Sequence, residues 1–221
     1  MRLEDAPILR FYHLTIDEKD KDKFEEEGVR NMTTSIKDEP GTLFMAATHD
    51  DPDGVSNYVI ECYKDEKSYK IHAGSPQFAH YATIAKEVIK ERDMFELTPQ
   101  LILTKEKPLK ITGKNHHYVV MRKITLVDQY LEKFGDELQS EMENALVNED
   151  GFKGVVAGNM FDIENEWRIL EIFEDKAAYE AHLKTDWHQK FAANTQEMIY
   201  DSEDIKLTAD TIVDQGELIY R

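Results

Sequence analysis

The sequence contains one cysteine, Cys62, in 221 residues, which excludes an intrachain disulfide and fits a reducing compartment. No apolar run approaches the length of a membrane span, and the first residues lack the apolar core of a signal peptide. The 27 Lys and Arg residues are outnumbered by 45 Asp and Glu residues, and the formal net charge of -18 argues against nucleic acid, whose phosphates are bound at basic patches. We therefore expect a soluble, cytoplasmic protein without a membrane or nucleic-acid partner.

Motifs that indicate a cofactor or a covalent nucleophile are also missing. The sequence has no glycine-rich phosphate loop, no dinucleotide fingerprint, no Ser-x-x-Lys and no nucleophile elbow. Cys62 lies among apolar neighbours on a predicted strand, where a thiol is usually unreactive. We expect no cofactor and no metal, so any chemistry has to come from side chains around a pocket.

What the sequence does have is an internal repeat at an offset of 110 residues. The pattern E-x-aromatic-x-D-x-x-x-Y-x-x-H occurs at Glu61–His72 and again at Glu171–His182. Of 95 pairs aligned without a gap, 18 are identical, whereas chance would give roughly one match in seventeen. Such a long period matches a whole small domain. The sequence predicts two domains, 1–105 and 115–221, joined by a linker rich in Lys, Pro and Gly.

Hydrophobic periodicity gives each half the order β-α-β-β-α-β. The expected strands are Ile8–Ile16, Thr42–Thr48, Val55–Tyr63 and Phe95–Thr104, and then His117–Leu126, Phe152–Phe161, Glu166–Phe173 and Ile205–Val213. This order is typical of a ferredoxin-like unit, an α+β fold whose sheet carries helices on one face only. Two copies can cover the bare faces by stacking. We therefore predict tandem ferredoxin-like units that form an intrachain pseudo-dimeric α+β barrel around an apolar chamber, with further homodimerisation left open.

Glutamates among aromatic residues are the first chemical candidates. Strand alternation puts Glu171 on one face with Trp167 and Phe173, and Glu61 on the matching face with Tyr63. A carboxyl group in such surroundings has a raised pKa and can serve as an acid or a base. The alternative is a structural role, in which each glutamate is hydrogen-bonded to the helix that follows.

The motif histidines, His72 and His182, each follow a tyrosine by three residues, so each pair lies on one helical face. His188 follows His182 by six residues, which does not suit a helical metal pair, and the sequence reveals no third or fourth ligand. Helix capping or a buried hydrogen bond is the alternative to catalysis for each histidine.

The repeated string follows a Pro-Gly or Asp-Gly turn and a hairpin, and it resembles the antibiotic biosynthesis monooxygenase family, which includes quinol monooxygenases. The resemblance implies a dimeric α+β barrel of ferredoxin-like units whose substrate sits between sheet and helices. It also implies oxidation of a phenol or quinol by dioxygen without flavin, metal or haem. The partners would be a small aromatic molecule and dioxygen, and the site would need a group that deprotonates the phenol and an apolar shelter.

Site residues follow from the same resemblance. Family members often carry a second histidine after the motif, as His182 and His188 do, whereas Phe78 breaks the pattern in the first half. The resemblance thus favours the second half, with His182, His188 and Glu171 as catalytic residues and the first half as a degenerate scaffold. The expected substrate-binding residues are Trp167, Trp187, Tyr179, Phe173, His72, Tyr69 and Tyr63.

Two other functions remain open at this point. One is a non-catalytic module of the same fold that binds a small molecule or serves a stress response. The other resembles the haem-degrading branch of the superfamily, which uses an asparagine on the first strand, a tryptophan at the motif-histidine position and a histidine ten residues later. Here the tryptophan position holds a histidine, His72 or His182, and the position ten residues later holds an alanine, Ala82 or Ala192. Neither first strand has an asparagine.

Overall fold

The structure is a computed structural model that describes residues 1–221. The elements of the first half are β1 (Ile8–Ile16), α1 (Lys21–Asp38), β2 (Thr42–His49), β3 (Ser56–Tyr63), α2 (Glu66–Ala73), α3 (Pro76–Val88) and β4 (Ile89–Thr104). A short strand β5 (Lys110–Thr112) follows, and the second half contains β6 (Tyr118–Leu126), α4 (Leu131–Asn148), β7 (Phe152–Met160), β8 (Ile163–Phe173), α5 (Lys176–His182), α6 (Asp186–Thr195), β9 (Ile199–Asp214) and β10 (Ile219–Tyr220).

Eight antiparallel strands close into one barrel in the order β1-β3-β2-β9-β6-β8-β7-β4, with β4 pairing back to β1. The 16-residue strands β4 and β9 join the halves, because each begins in the sheet of its own half and ends in the other sheet. Strand β4 pairs first with β1 and then with β7, and β9 pairs first with β6 and then with β2. The predicted intrachain pseudo-dimeric α+β barrel is confirmed.

The interior of the barrel is a packed core, which corrects the expected apolar chamber. Alternating strand residues such as Leu9, Phe11, Ile60 and Ile172 meet in one cluster of 21 buried hydrophobic side chains. The opposite faces of the same strands carry the helices, with α1 against α3 in the first half and α4 against α6 in the second. Space for a ligand therefore has to be sought outside the barrel, between the sheet and the helices.

Side-chain caps start the helices that border this outer space. Asp65 accepts a hydrogen bond from the backbone of Ser68 and begins α2, and Asp175 begins α5 in the same way. Ser75 and Thr185 cap α3 and α6 in the same way. None of the six helices combines the length and the apolar character needed to cross a bilayer.

Gly41 and Gly151, the glycines of the Pro-Gly and Asp-Gly turns, serve close packing rather than a left-handed backbone conformation. Positive φ angles at glycine occur only at Gly54, Gly113 and Gly216. A Cβ atom on Gly151 would instead lie 2.5 Å from Cβ of Ala178, and one on Gly41 would collide with the Ser68 side chain. Each glycine lies in the turn between a helix and the next strand, α1 and β2 or α4 and β7. The missing side chain lets the helix after the motif aspartate, α2 or α5, pack directly against that turn.

Two regions differ from the sequence-based expectation. Strands β4 and β9 begin at Ile89 and Ile199, six residues before the predicted starts, because their exposed, charged first segments still pair with β1 and β6. Within the expected linker, residues 110–112 form β5 and pair with β9. Local composition does not reveal either pairing, since the partners lie far away in the chain.

Candidate active site

A cavity of about 500 Å³ lies between the sheet and the helices of the first half, and we call it the first-half cavity. Strands β1, β3 and β4 form its floor, and α2 and α3 cover it. Its size falls in the range of small-molecule sites. Most of its lining is hydrophobic, including Leu14, Val59, Phe78, Tyr81, Ala82 and Ile89.

His72 is the best-oriented polar group in the lining. Its Nδ1 lies 3.0 Å from Oε2 of Glu39, and the ring is buried. Glu39 is held in turn by the Thr42 hydroxyl at 2.7 Å and by the side-chain amide of Gln77. Nε2 of His72 has no hydrogen-bond partner. When Nδ1–H donates to the carboxylate, the lone pair of Nε2 is free to accept a proton from a bound molecule.

Glu61 supplies a second titratable group to the same cavity. Burial raises the pKa of its carboxyl group, and the nearby His72 and the Tyr63 hydroxyl offset part of this increase. The Tyr63 hydroxyl donates to Oε2 of Glu61 over 3.0 Å. The cavity therefore combines a carboxyl group of raised pKa on its strand floor with an imidazole on α2 that has one unpartnered nitrogen.

Cationic side chains lie at the rim of the cavity. The guanidinium group of Arg10 stacks 3.8 Å from the ring centre of Tyr69, and that of Arg92 lies 5.1 Å from the ring centre of Tyr12. Burial raises the pKa of Tyr12 to about 12, so this lining hydroxyl stays neutral. Lys86 and Lys90 also border the cavity. In a strongly acidic protein this local positive charge favours an anionic or anion-forming ligand.

The second half has a different arrangement at the equivalent positions. Arg122 takes the place of Tyr12, and its Nε lies 3.1 Å from Oε1 of Glu171. Burial raises the pKa of Glu171, and the Arg122 charge opposes that increase. Phe173 replaces Tyr63, so Glu171 has no tyrosine donor. The predicted catalytic carboxylate is therefore buried in an ion pair rather than exposed to a comparable cavity.

His182 and His188 lie in a buried network with two glutamates. His182 Nδ1 is 2.9 Å from Oε1 of Glu149, and His188 Nδ1 is 2.6 Å from Oε1 of Glu141. Nε2 of His182 approaches the same Glu141 oxygen to 3.3 Å. Burial lowers the pKa of His182, but the two carboxylates outweigh it and raise the pKa to about 9. The catalytic role of these histidines stays a prediction.

Glu141 is one of the two glutamates of this network that the sequence reasoning missed. It lies on α4, three residues after Leu138 and next to Met142, and it is buried with them. An acidic residue in the apolar stripe of an amphipathic helix is the signal that could have identified it.

Of the other predicted site residues, some lie at the two sites and the rest pack in the hydrophobic core. Tyr69 lines the first-half cavity, and Tyr63 reaches it through Glu61. Trp187 donates its Nε1–H to Glu149 over 2.6 Å. The other expected aromatic residues pack against neighbouring rings, Trp167 on Phe134, Phe173 on Phe152 and Tyr179 on Tyr118.

Comparison with known proteins agrees with this two-unit arrangement. The family described as "Antibiotic biosynthesis monooxygenase" matches residues 7–83 and 117–194. A solved candidate monooxygenase of Lactobacillus acidophilus NCFM is 26% identical, with a TM-score of 0.91 over 98% of this chain and 100% of that chain. No curated protein sequence matches significantly.

Two further solved structures share the fold. A candidate monooxygenase of Fusobacterium nucleatum has a TM-score of 0.87 and 20% identity over 99% of each chain. An anthrone oxidase-like protein has a TM-score of 0.57 and 13% identity over 97% of this chain and 95% of that chain.

Proposed function

The chain belongs to the antibiotic biosynthesis monooxygenase family, and we propose that its first-half cavity binds a small phenol or quinol and oxidises it with dioxygen. The observation that carries this proposal is His72, whose Nδ1 is fixed by Glu39 while its Nε2 is unpartnered in the lining of the cavity. This assignment moves the reaction from the second half, which His182 and His188 favoured, to the first half, whose cavity is lined mostly by hydrophobic residues.

The first chemical step is removal of the phenolic proton. Nε2 of His72 accepts the proton, and Glu39 stabilises the imidazolium ion that results. Arg92 and the neighbouring lysines at the rim favour the phenolate electrostatically. A phenolate or its carbanion form is far more reducing than the neutral phenol, so it can transfer electrons to dioxygen without a further redox group.

The overall reaction balances with dioxygen as the only oxidant. A methylene carbon of an anthrone gives up two hydrogens and four electrons, one oxygen atom becomes the carbonyl oxygen and the other leaves as water. A quinol reacts with the same stoichiometry, because one ring carbon gains a hydroxyl group while the ring is oxidised to the quinone. The apolar walls formed by Leu14, Val59 and Phe78 keep bulk water from the reduced-oxygen intermediate.

Oxygen uptake with a panel of hydroquinones and anthrones tests the proposal. Anthrones are included because one similar fold is that of an anthrone oxidase-like protein. We expect uptake with at least one of these compounds, and one water rather than one peroxide per product. His72→Ala should lower kcat/KM by about 100-fold or more, as loss of a general base does, while His72→Gln tests whether a neutral hydrogen-bonding group can replace it.

The matched control is His182→Ala, which removes the equivalent residue of the other half. Equal loss of uptake in the two histidine variants would contradict the assignment to the first half. Binding of a phenol in the cavity with no uptake for any compound would instead favour the non-catalytic binding module. A haem titration without a shift of the Soret band would exclude the haem-degrading alternative.

A further inference from the structure

We propose that Glu141, His182 and His188 form a binding site for one divalent transition-metal ion of the zinc class. The ligand atoms of these three side chains all lie within 4.8 Å of one another. One carboxylate with two imidazoles is a donor set that first-row divalent ions prefer. Helix α4 supplies the glutamate, and the helices α5 and α6 supply the histidines.

The spacing of the donors comes close to that of a tetrahedral site. Zinc–ligand distances of about 2.0–2.1 Å place neighbouring donors about 3.3 Å apart, which is the distance between His182 Nε2 and Oε1 of Glu141. His188 Nδ1 lies 2.6 Å from the same oxygen, so this hydrogen bond would have to open for an ion to enter. Nε2 of His182 and Oε2 of Glu141 both lack a hydrogen-bond partner. The side chains are 0% and 1% exposed, so water does not satisfy these atoms. A metal ion bound by both side chains would satisfy these two atoms.

An outer shell already orients the ligands. Glu149 binds Nδ1 of His182 at 2.9 Å and also accepts the indole N–H of Trp187. A carboxylate on the far nitrogen of a histidine fixes the ring and makes the ligating nitrogen more basic. The His188 side chain is 12% exposed, which leaves a route for the ion and for a water molecule as the fourth ligand.

The duplication provides an internal comparison. The first half keeps the oriented histidine, because His72 binds Glu39 just as His182 binds Glu149. However, Asn31 and Phe78 stand at the positions that correspond to Glu141 and His188. The shared histidine–glutamate pair is thus part of the common fold, and only the second half adds the two further ligands.

Another cluster, Glu25, His49 and Asp210, brings carboxylates around a single histidine. There Nδ1 of His49 is bonded to Asp210 at 2.9 Å, and no buried donor or acceptor of these three residues lacks a partner. It carries no second imidazole. We use it as a control rather than as a candidate.

Calorimetric titration of the chelator-treated protein with Zn²⁺ tests the proposal. We expect one ion per chain. Glu141→Asn and His188→Phe each remove a direct ligand and should lower the affinity for Zn²⁺ by at least about 100-fold, because loss of a residue that only orients a ligand already costs up to that much. Each variant introduces the residue that the first half already has. His49→Ala and His116→Ala should bind Zn²⁺ like the unaltered protein.

Cobalt substitution gives a second readout that needs no variant. Co²⁺ in a tetrahedral nitrogen and oxygen site absorbs visible light strongly, whereas octahedral surface-bound Co²⁺ absorbs weakly. Absence of a tetrahedral spectrum and of Zn²⁺ binding in the unaltered protein would overturn the proposal. So would full Zn²⁺ affinity in a folded His188→Phe variant, or loss of binding in His49→Ala. The result is independent of oxygen uptake, so it also separates this site from the proposed reaction in the first half.

Discussion

Arg122 and Glu171 form a buried ion pair, with Nε of the arginine 3.1 Å from Oε1 of the glutamate. The equivalent pair of the first half, Tyr12 and Glu61, has no such bond, and both of those residues line the cavity. The exchange of tyrosine for arginine is thus one of the differences between two halves that share a backbone. At this position the first half has a neutral side chain that lines a cavity, and the second half has a cation that pairs with a buried carboxylate.

Arg122→Met should destabilise the protein by about 3–5 kcal/mol at neutral pH, because it leaves Glu171 buried without a counter-charge. The double variant Arg122→Met/Glu171→Gln removes both charges and should recover most of that loss. Urea unfolding of the three proteins at one pH measures the difference. A double variant no more stable than the single one would show that packing by the arginine, rather than its charge, provides the stabilisation.

Gly151→Ala should destabilise the protein by about 1–3 kcal/mol, the usual range for an overpacked site. The added Cβ atom would lie 2.5 Å from Cβ of Ala178, which is too short to relax without moving α5. Gly28 in α1 is the matched control, because a Cβ atom there would meet nothing within 4 Å. Gly28→Ala should stabilise the helix by about 0.5–1 kcal/mol. Equal effects of the two substitutions in urea unfolding would contradict the close-packing role.

Local chemistry was sufficient to predict much of the fold. The strand alternation around Glu171 depends on residues close together in the chain, and the structure has this strand where the sequence predicts it. The closed barrel follows from the bare face that each half leaves. The packed interior does not follow, because the volume between two sheets depends on how side chains such as Phe11 and Ile172 interlock.

The candidate sites required distances that no local pattern contains. Glu141 meets His188 across 47 residues of sequence, and Glu39 meets His72 across 33 residues. The resemblance therefore favoured the second half, where His188 follows the motif histidine His182. The first-half cavity is lined in part by Tyr12, a strand residue with no motif of its own that stands where the other half has Arg122.

Ala82→Phe should block the proposed reaction by filling the first-half cavity, which Ala82 lines. We expect kcat/KM to fall at least about tenfold, because a difference of one methylene group between two substrates already changes kcat/KM by that much in a close-fitting pocket. Ala192 is the equivalent residue of the second half and is exposed, so Ala192→Phe is the control. Oxygen uptake by the two variants makes the comparison. Unchanged uptake in Ala82→Phe would exclude the first-half cavity as the site.

Asp214 should make folding stability fall as the pH rises through mildly acidic values. Burial raises the pKa of its carboxyl group from 3.8 to about 6, although the backbone N–H groups of Leu109 and Gly216 donate to it at 2.9 and 2.8 Å. Its other oxygen, Oδ2, has no partner. At pH values between these two pKa values, the folded state keeps a proton that the unfolded chain has already released. Asp214 therefore stabilises the fold at low pH and loses that contribution above about pH 6.

The size of this contribution follows from the difference in pKa, at 1.36 kcal/mol per unit, and is about 3 kcal/mol. Asp214→Asn keeps an oxygen for the two backbone donors and removes the charge, so it should be more stable than the unaltered protein at pH 8 and lose the advantage below about pH 4. Urea unfolding of both proteins across this range isolates Asp214, because all other titrating groups are common to the pair. A difference between the two proteins that does not change with pH would mean that Asp214 is no more difficult to ionise in the folded state than in the unfolded chain.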